Sequence, residues 1–238
     1  MTAEKINSLL EPFLPPASIS PAQVRQVQLY LDLLLKWNAK INLTAVRSAE
    51  EIVTRHFGES FFAARHLAKV VPGAASAVDV GSGAGFPGLP IKIWSPEITL
   101  KLVESSQKKV AFLRETIRVL GLTNVEVRAI RAVELKSKFD LVTLRAVERF
   151  ERILPVAAIL LENGASLALM VGKAQVAVAC RLLPNLTWSD PTSVPGSRER
   201  VFSGRALKYV IGAWLKTRTR MKLTAMRCVS VALYNSVF

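Results

Sequence analysis

Asp79-Val80-Gly81-Ser82-Gly83-Ala84-Gly85 is a D-x-G-x-G-x-G run at the end of a short apolar stretch, Ala77-Val78-Asp79-Val80. An apolar stretch ending in glycines reads as a buried strand entering a tight loop. Glycine lets that loop turn sharply and bring its backbone close to a ligand, with no Cβ in the way. In an open α/β sheet, ligands bind just outside the carboxyl ends of the strands. The loop is not a dinucleotide fingerprint. In G-x-G-x-x-G the sixth position from Gly81 would be glycine; here it is Phe86, followed by Pro87-Gly88. The spacing suits a nucleoside lacking a phosphate, above all S-adenosylmethionine. Glu104, 25 residues after Asp79, stands at the tip of the next strand as an acceptor for ribose hydroxyls. An acidic residue closes both strands, which argues for a ligand over a turn that merely requires glycine.

These residues need a scaffold. Ser20-Pro21-Ala22-Gln23 fits a helix-opening capping box, and Val24, Val27, Leu31 and Leu34 recur at helical spacing behind it. A second helical region carries Ile52, Val53, Phe57, Phe61 and Phe62 and ends at Pro72-Gly73. Strands are then predicted at 77–80, 98–103, 125–129, 139–144 and 165–171. Helices are predicted over 106–120, closed by Gly121, and over 147–161. Strands alternating with helices imply an α/β fold, a Rossmann-like, doubly wound and mostly parallel sheet with an N-terminal helical extension. The expected organisation is a helical segment over 1–73, a ligand-binding domain over 74–204 and a basic tail over 205–238.

Composition narrows the function classes. The 238 residues carry 32 Lys plus Arg against 18 Asp plus Glu, a formal net charge of +14 that points to a polyanionic partner. Half of that charge lies in the tail, which has Arg205, Lys208, Lys216, Arg218, Arg220, Lys222 and Arg227 and no acidic residue. Two cysteines, Cys180 and Cys228, and two histidines, His56 and His66, argue against a disulfide framework or a metal centre. The N-terminus lacks the uninterrupted apolar core of a secretory signal. The apolar stretch from Ala165 to Cys180 is broken by Lys173 and is short for a membrane span. The expectation is a soluble cytoplasmic protein.

Four motifs carry a resemblance to a known family. The first is Lys36-Trp37-Asn38-Ala39-Lys40-Ile41-Asn42-Leu43-Thr44, with Arg55-His56 beyond it. The second is the glycine loop continuing through Phe86-Pro87-Gly88-Leu89-Pro90. The third is Glu104-Ser105-Ser106-Gln107-Lys108-Lys109, leading into Phe112-Leu113, and the fourth is Arg145-Ala146. Over roughly residues 20–204 the sequence resembles the bacterial 16S ribosomal RNA guanine-N7 methyltransferases, the glucose-inhibited division protein B family. The resemblance implies S-adenosylmethionine as cofactor, held by Asp79, Gly81, Gly83, Gly85, Phe86, Glu104, Ala132, Val133 and Arg145. It implies that Lys108, Arg131, Arg145 and Lys173 lie beside the active cleft as catalytic or RNA-orienting residues. The pair after the third strand is usually Ala-Glu or Val-Glu in such proteins; here Glu134 comes one position later. The tail from about Arg205 matches nothing in the family, and is expected to be functionally silent.

The implied chemistry is consistent with what the sequence omits. Guanine N7 has a free lone pair and no proton to lose, so no general base is required and positioning does the work. There is no Asn/Asp-Pro-Pro-Tyr/Phe segment for exocyclic amines, and neither cysteine ends a predicted core strand. The expected partner is 16S rRNA or the small ribosomal subunit, with no DNA, no membrane and a monomeric protein. Two other readings stay open: a small-molecule methyltransferase, and a non-catalytic RNA-binding protein that keeps the fold. Trp37 is expected in the core and His56 as a packed, hydrogen-bonding histidine.

Overall fold

The hydroxyl of Ser20 accepts the Gln23 amide and the Gln23 side chain accepts the Ser20 amide, the reciprocal box that opens α2 (Pro21–Asn38). Val24, Val27, Leu31 and Leu34 of this helix are buried, as their spacing predicts. The structure, a computed structural model, describes residues 1–15, 17–69, 71, 75–147, 149–189 and 192–195. For 209–212 and 215–216, and for Lys173, it describes the backbone alone.

Ahead of α2 lies α1 (Ala3–Leu10). After it come α3 (Ala49–Ile52), a π-helical stretch Val53–Gly58 and α4 (Glu59–Leu67), which run on without a break. The α/β part follows as β1 (Ser76–Val80), α5 (Gly88–Trp94), β2 (Thr99–Val103), α6 (Gln107–Leu120), β3 (Val125–Arg128) and β4 (Phe139–Arg145). It continues with α7 (Phe150–Ile159), β5 (Leu161–Gly172), α8 (Lys173–Leu182), β6 (Thr187–Trp188), β7 (Thr192–Ser193), β8 (Tyr209–Gly212) and β9 (Leu215–Lys216).

The main sheet has the order β3-β2-β1-β4-β5-β8-β7. The pairs from β3 through β5 are parallel; β8 joins β5, and β7 joins β8, antiparallel. One apolar cluster joins α1, α2 and α4 to α5, α6 and one sheet face; a second covers the other face with α7 and α8. Helices on both faces of a largely parallel sheet make the doubly wound architecture predicted from the alternation.

The structure differs from the sequence reading in four places. First, α7 starts at Phe150 and not at 147, because Ala146 (φ 46°) and Arg149 (φ 53°) take left-handed backbone that no helix accommodates. Second, α5 is hidden in a Gly-Leu-Pro sequence that reads as loop; the Asp79 carboxylate accepts the Gly88 amide at 3.2 Å and so starts the helix. Third, α8 forms from Lys173 onward, where no element is predicted, and begins where Gly172 ends β5 and donates to Gln175 Oε1 at 3.1 Å. Fourth, within the segment 205–238 the backbone of 209–212 forms a strand of the main sheet, while most of the tail lies outside the described residues.

Candidate functional site

Sheet register sets three chain ends level. Val80 of β1 pairs with Val103 of β2 on one side and Leu144 of β4 on the other. The next residues, Gly81, Glu104 and Arg145, therefore stand side by side at the carboxyl edge of the sheet. With β2 and β4 on opposite sides of β1, this is also where the strand order reverses, the place where α/β sheets bind ligands.

The glycine loop is held from below and open above. The amides of Gly81 and Ser82 donate to the Val103 carbonyl at 2.9 and 3.0 Å. The Gly83 amide donates to Glu104 Oε2 at 3.0 Å, and Glu104 Oε1 accepts the Ser106 amide at 2.8 Å. Each carboxylate oxygen keeps a lone pair beyond these bonds, so Glu104 can clamp the loop and still accept ligand hydroxyls. Gly81, Gly83 and Gly85 all have positive φ. A Cβ placed on Gly83 would meet nothing nearer than the Gly81 carbonyl at 3.8 Å, so the loop leaves free space on its outer side.

The other side of the loop is filled by the N-terminal helices. The Tyr30 hydroxyl donates to the Ala84 carbonyl. A Cβ on Gly85 would lie 2.6 Å from Leu89 Cδ1 and closer still to Tyr30 Oη. Gly85 is thus required by packing as well as by its φ of 88°. Phe86 is buried in an aromatic cluster, its ring stacked on Tyr30 at 5.2 Å and met edge-on by Phe57 at 5.0 Å. It supports the loop from within. Asp79 is equally internal. Its Oδ1 accepts from Thr143 Oγ1 at 2.7 Å and its Oδ2 from the Gly88 amide, so it ties β1 to β4 and α5 and does not present its carboxylate to the cleft.

Arg145 faces the helices as well. Its Nη2 donates to the Arg55 carbonyl at 2.7 Å, to His56 Nδ1 at 3.0 Å and to Glu59 Oε2 at 3.0 Å; its Nη1 reaches the His56 carbonyl at 3.4 Å. The sequence reading has Arg145 touching base or cofactor. In the structure these bonds make it a strut between β4 and the π-helical stretch. Ala146 follows in left-handed backbone, which costs a non-glycine residue about 1–2 kcal/mol. Since Arg145 donates to Nδ1, His56 carries its proton on Nε2 and donates it to Thr44 Oγ1 at 2.8 Å. Asn38 in turn accepts the amides of Leu43 and Thr44 at 3.0 and 3.1 Å and donates to the Thr44 carbonyl. The Trp-Asn, Asn-Leu-Thr, Arg-His and Arg145 positions, separate in sequence, form one chain of contacts running from α2 to the end of β4.

The remaining candidates lie nearby or apart. Ala132 is buried and Val133 is 69% exposed, both on a single 3₁₀ turn after β3. Arg131 is exposed at the start of that turn, and Lys108 is exposed in the first turn of α6. The Lys173 backbone opens α8; its side chain lies outside the described residues. Trp37 is half-buried and donates from Nε1 to Glu115 Oε2 at 2.8 Å.

Two buried titratable groups make opposite demands. Burial first, then the Arg145 and Arg55 cations, hold His56 down at about 3. Burial pushes Asp79 up to about 6, against hydrogen bonds from Thr143, Gly88 and Ser82. A histidine depressed from 6.5 contributes stability present above pH 6.5 and lost as pH falls toward 3, about 5 kcal/mol in all. A carboxylate raised from 3.8 acts the other way: stability is highest below pH 4 and falls by about 3 kcal/mol as pH rises through 6. Between pH 4 and 6 the two slopes oppose. Asp79→Asn should therefore remove one opposing slope and leave only that of the raised Glu59 carboxyl, so that denaturant stability falls more than in wild type as pH drops from 6.5. A variant with the wild-type acid profile would show that Asp79 is not titrating there.

Comparison with known proteins adds the family context. The family model described as GidB, rRNA small subunit methyltransferase G, matches residues 23–180. Ribosomal RNA small subunit methyltransferase G of Nitrosomonas europaea is 43% identical over 136 residues, covering 56% of this chain and 61% of that protein. The chain thus spans about three fifths of that relative. The protein of the same name from a Roseiflexus species is 38% identical over 192 residues, covering 75% of this chain and 80% of its own length. Among solved structures, M. jannaschii TYW2 in complex with AdoMet superposes with a TM-score of 0.55 at 14% identity, covering 76% of this chain and 80% of that one. P. horikoshii TYW2 in complex with MeSAdo gives 0.53 at 15% identity, with 66% and 62% covered. At such identities these two likenesses speak for the fold alone.

Proposed function

We propose that this chain, which belongs to the rRNA small subunit methyltransferase G family, transfers a methyl group from S-adenosylmethionine to N7 of a guanine in 16S ribosomal RNA. The observation that carries the reading is the glycine loop, clamped by Glu104 and open on its outer side at the switch point of the sheet. Residues present at that place suit the cofactor. Glu104 has spare acceptor capacity for ribose hydroxyls, the loop leaves room for a ligand against its backbone, and exposed Val133 offers an apolar surface for a base. When bound, S-adenosylmethionine supplies an electrophilic methyl group on sulfur.

The work of this chain is to place and orient. N7 needs no deprotonation, so no side chain has to act as a base. Tyr30, Phe86 and Gly85 fix the height of the loop, and Arg145 fixes the π-helical stretch against β4. Rigid support matters because a misplacement of about 1 Å can cost on the order of a hundredfold in rate. Among the described residues no helix is long and apolar enough to cross a membrane. The protein is taken to act in the cytoplasm as a monomer on 16S rRNA or the small subunit, with no DNA or membrane partner.

The test uses 16S rRNA from a strain lacking the family enzyme and cofactor with a labelled methyl group. Label should enter the 16S RNA. With around six phosphate contacts, RNA affinity should also fall on the order of a thousandfold between low and moderate salt. No incorporation under any salt or particle condition would sink the reading.

A further inference from the structure

A groove of about 580 Å³ lies between the end of α2 and the first turns of α6, away from the glycine loop's own contacts. Its walls carry Lys36, Lys40 and Lys108, with Trp37 and Ile41 contributing apolar surface. All three lysines are exposed, and among the described residues none of their ammonium groups has an ion-pair or hydrogen-bond partner. The one carboxylate of the groove, Glu115, holds the Trp37 indole N–H. Lys108 also stands in the first turn of a 14-residue helix, where a cation without a counter-ion is disfavoured. Three cations against one carboxylate leave the groove with a net positive charge, and among the described residues no acidic side chain pairs with the lysines.

We infer that this groove is a binding site for the sugar-phosphate backbone of single-stranded RNA next to the methylated guanine. The inference rests on the proposed activity and names where the substrate strand lies. Three unpaired amines beside an aromatic side chain match what such strands need, phosphate neutralisation with apolar contact to ribose or base. The volume suits a nucleotide unit. Continuity with the cofactor site is covalent. Lys108 is four residues beyond Glu104, and the Ser106 amide between them is bonded to the Glu104 carboxylate. A strand that delivers its guanine to the loop would pass over α6 at this point. Lys36 and Lys40 approach from the other wall, Lys36 on the helix whose Tyr30 holds the loop and Lys40 in the turn just beyond its end.

The test is the double substitution K36Q/K40Q, at two exposed positions outside the loop machinery. Binding is measured with 16S rRNA by anisotropy over a salt series, separately from methyl transfer. Affinity should fall roughly tenfold near physiological salt, and the log–log salt slope should flatten by about 1.4, or 0.7 for each lost single-strand phosphate contact. K36R/K40R should restore both, while cofactor affinity and turnover at saturating RNA stay at the wild-type level. Wild-type RNA affinity and slope in K36Q/K40Q would overturn the inference. So would a variant that loses cofactor binding and turnover with RNA affinity unchanged, because the lysines would then be structural. Since the binding arm does not depend on catalysis, a flattened slope in K36Q/K40Q beside a wild-type protein that transfers no methyl group would refute the activity and still support the groove as an RNA site.

Discussion

Arg145→Ala is expected to lower stability by about 3–5 kcal/mol, the range for leaving one partner of a buried ion pair behind. The pair is well covered, with 11% of the Arg145 side chain and 7% of the Glu59 side chain exposed. Burial already raises the Glu59 carboxyl, and Arg145 is the main group lowering it. Without the guanidinium that carboxyl rises further. The penalty should then be largest near neutral pH and should ease as falling pH protonates Glu59. Adding Glu59→Gln should recover part of the loss, since the buried charge is gone. Turnover should drop at least about a hundredfold in the single variant, because the π-helical stretch and the aromatic support under the loop lose their anchor. Denaturant titration at two pH values, alongside the methylation rate, checks both parts. An Arg145→Ala protein as stable as wild type would contradict the strut role.

Gly85→Ala is the second large effect, and its contrast with Gly83→Ala gives it meaning. Both glycines have positive φ, which costs an alanine about 1–2 kcal/mol. At Gly85 the new methyl also runs into Leu89 and the Tyr30 hydroxyl, adding about 1–3 kcal/mol of overpacking. The two costs together, about 2–5 kcal/mol, are a large share of an ordinary domain stability of about 5–15 kcal/mol. At Gly83 the methyl makes only an ordinary contact with the Gly81 carbonyl at 3.8 Å and clashes with nothing, so it projects into the space left for a ligand. Gly83→Ala should lose only the strain of its positive φ, melting a few degrees below wild type and well above Gly85→Ala, yet bind S-adenosylmethionine at least tenfold more weakly by calorimetry. The reverse ranking, with Gly83→Ala unfolded and Gly85→Ala stable, would mean that the loop's two sides are assigned the wrong way round.

Much of the fold was legible because periodicity and caps are local. The Ser20-Gln23 box, the Gly121 stop at φ 62° and the apolar strands each depend on residues within a few positions. Elements started by distant partners were not legible. A sequence does not show that the Asp79 carboxylate will cap Gly88 nine residues later, so Gly-Phe-Pro-Gly-Leu-Pro reads as loop although a helix begins in it. Local propensity also missed α8, whose start is set by Gly172 at the end of a strand.

At the site, residue types were readable and their directions were not. Glu104 stands beside the glycine loop, where its spacing puts it, and the structure adds that it bonds to the loop itself. Asp79, Phe86 and Arg145 sit at the expected level, but their polar or aromatic groups turn inward to Thr143, Tyr30 and Glu59. Those partners come from β4, α2 and α4, and no spacing rule links them. One signal was available in hindsight. Asn38, Thr44, His56 and Arg145 all belong to the motifs that carry the family resemblance, and Asn38 and Thr44 alone could have indicated a hydrogen-bonded turn. The groove lysines Lys36 and Lys40 belong to the first family motif, but only the packing of α2 on α6 brings them to Lys108.

The chemistry proposed above turns on one atom, guanine N7 of 16S rRNA as methyl acceptor. Nucleoside analysis of 16S RNA, from cells with and without this gene, tests it most directly. The account predicts 7-methylguanosine in the RNA when the gene is present and its loss when the gene is removed. Identical 7-methylguanosine content in both, or a gene-dependent methyl group on a different atom, would contradict it.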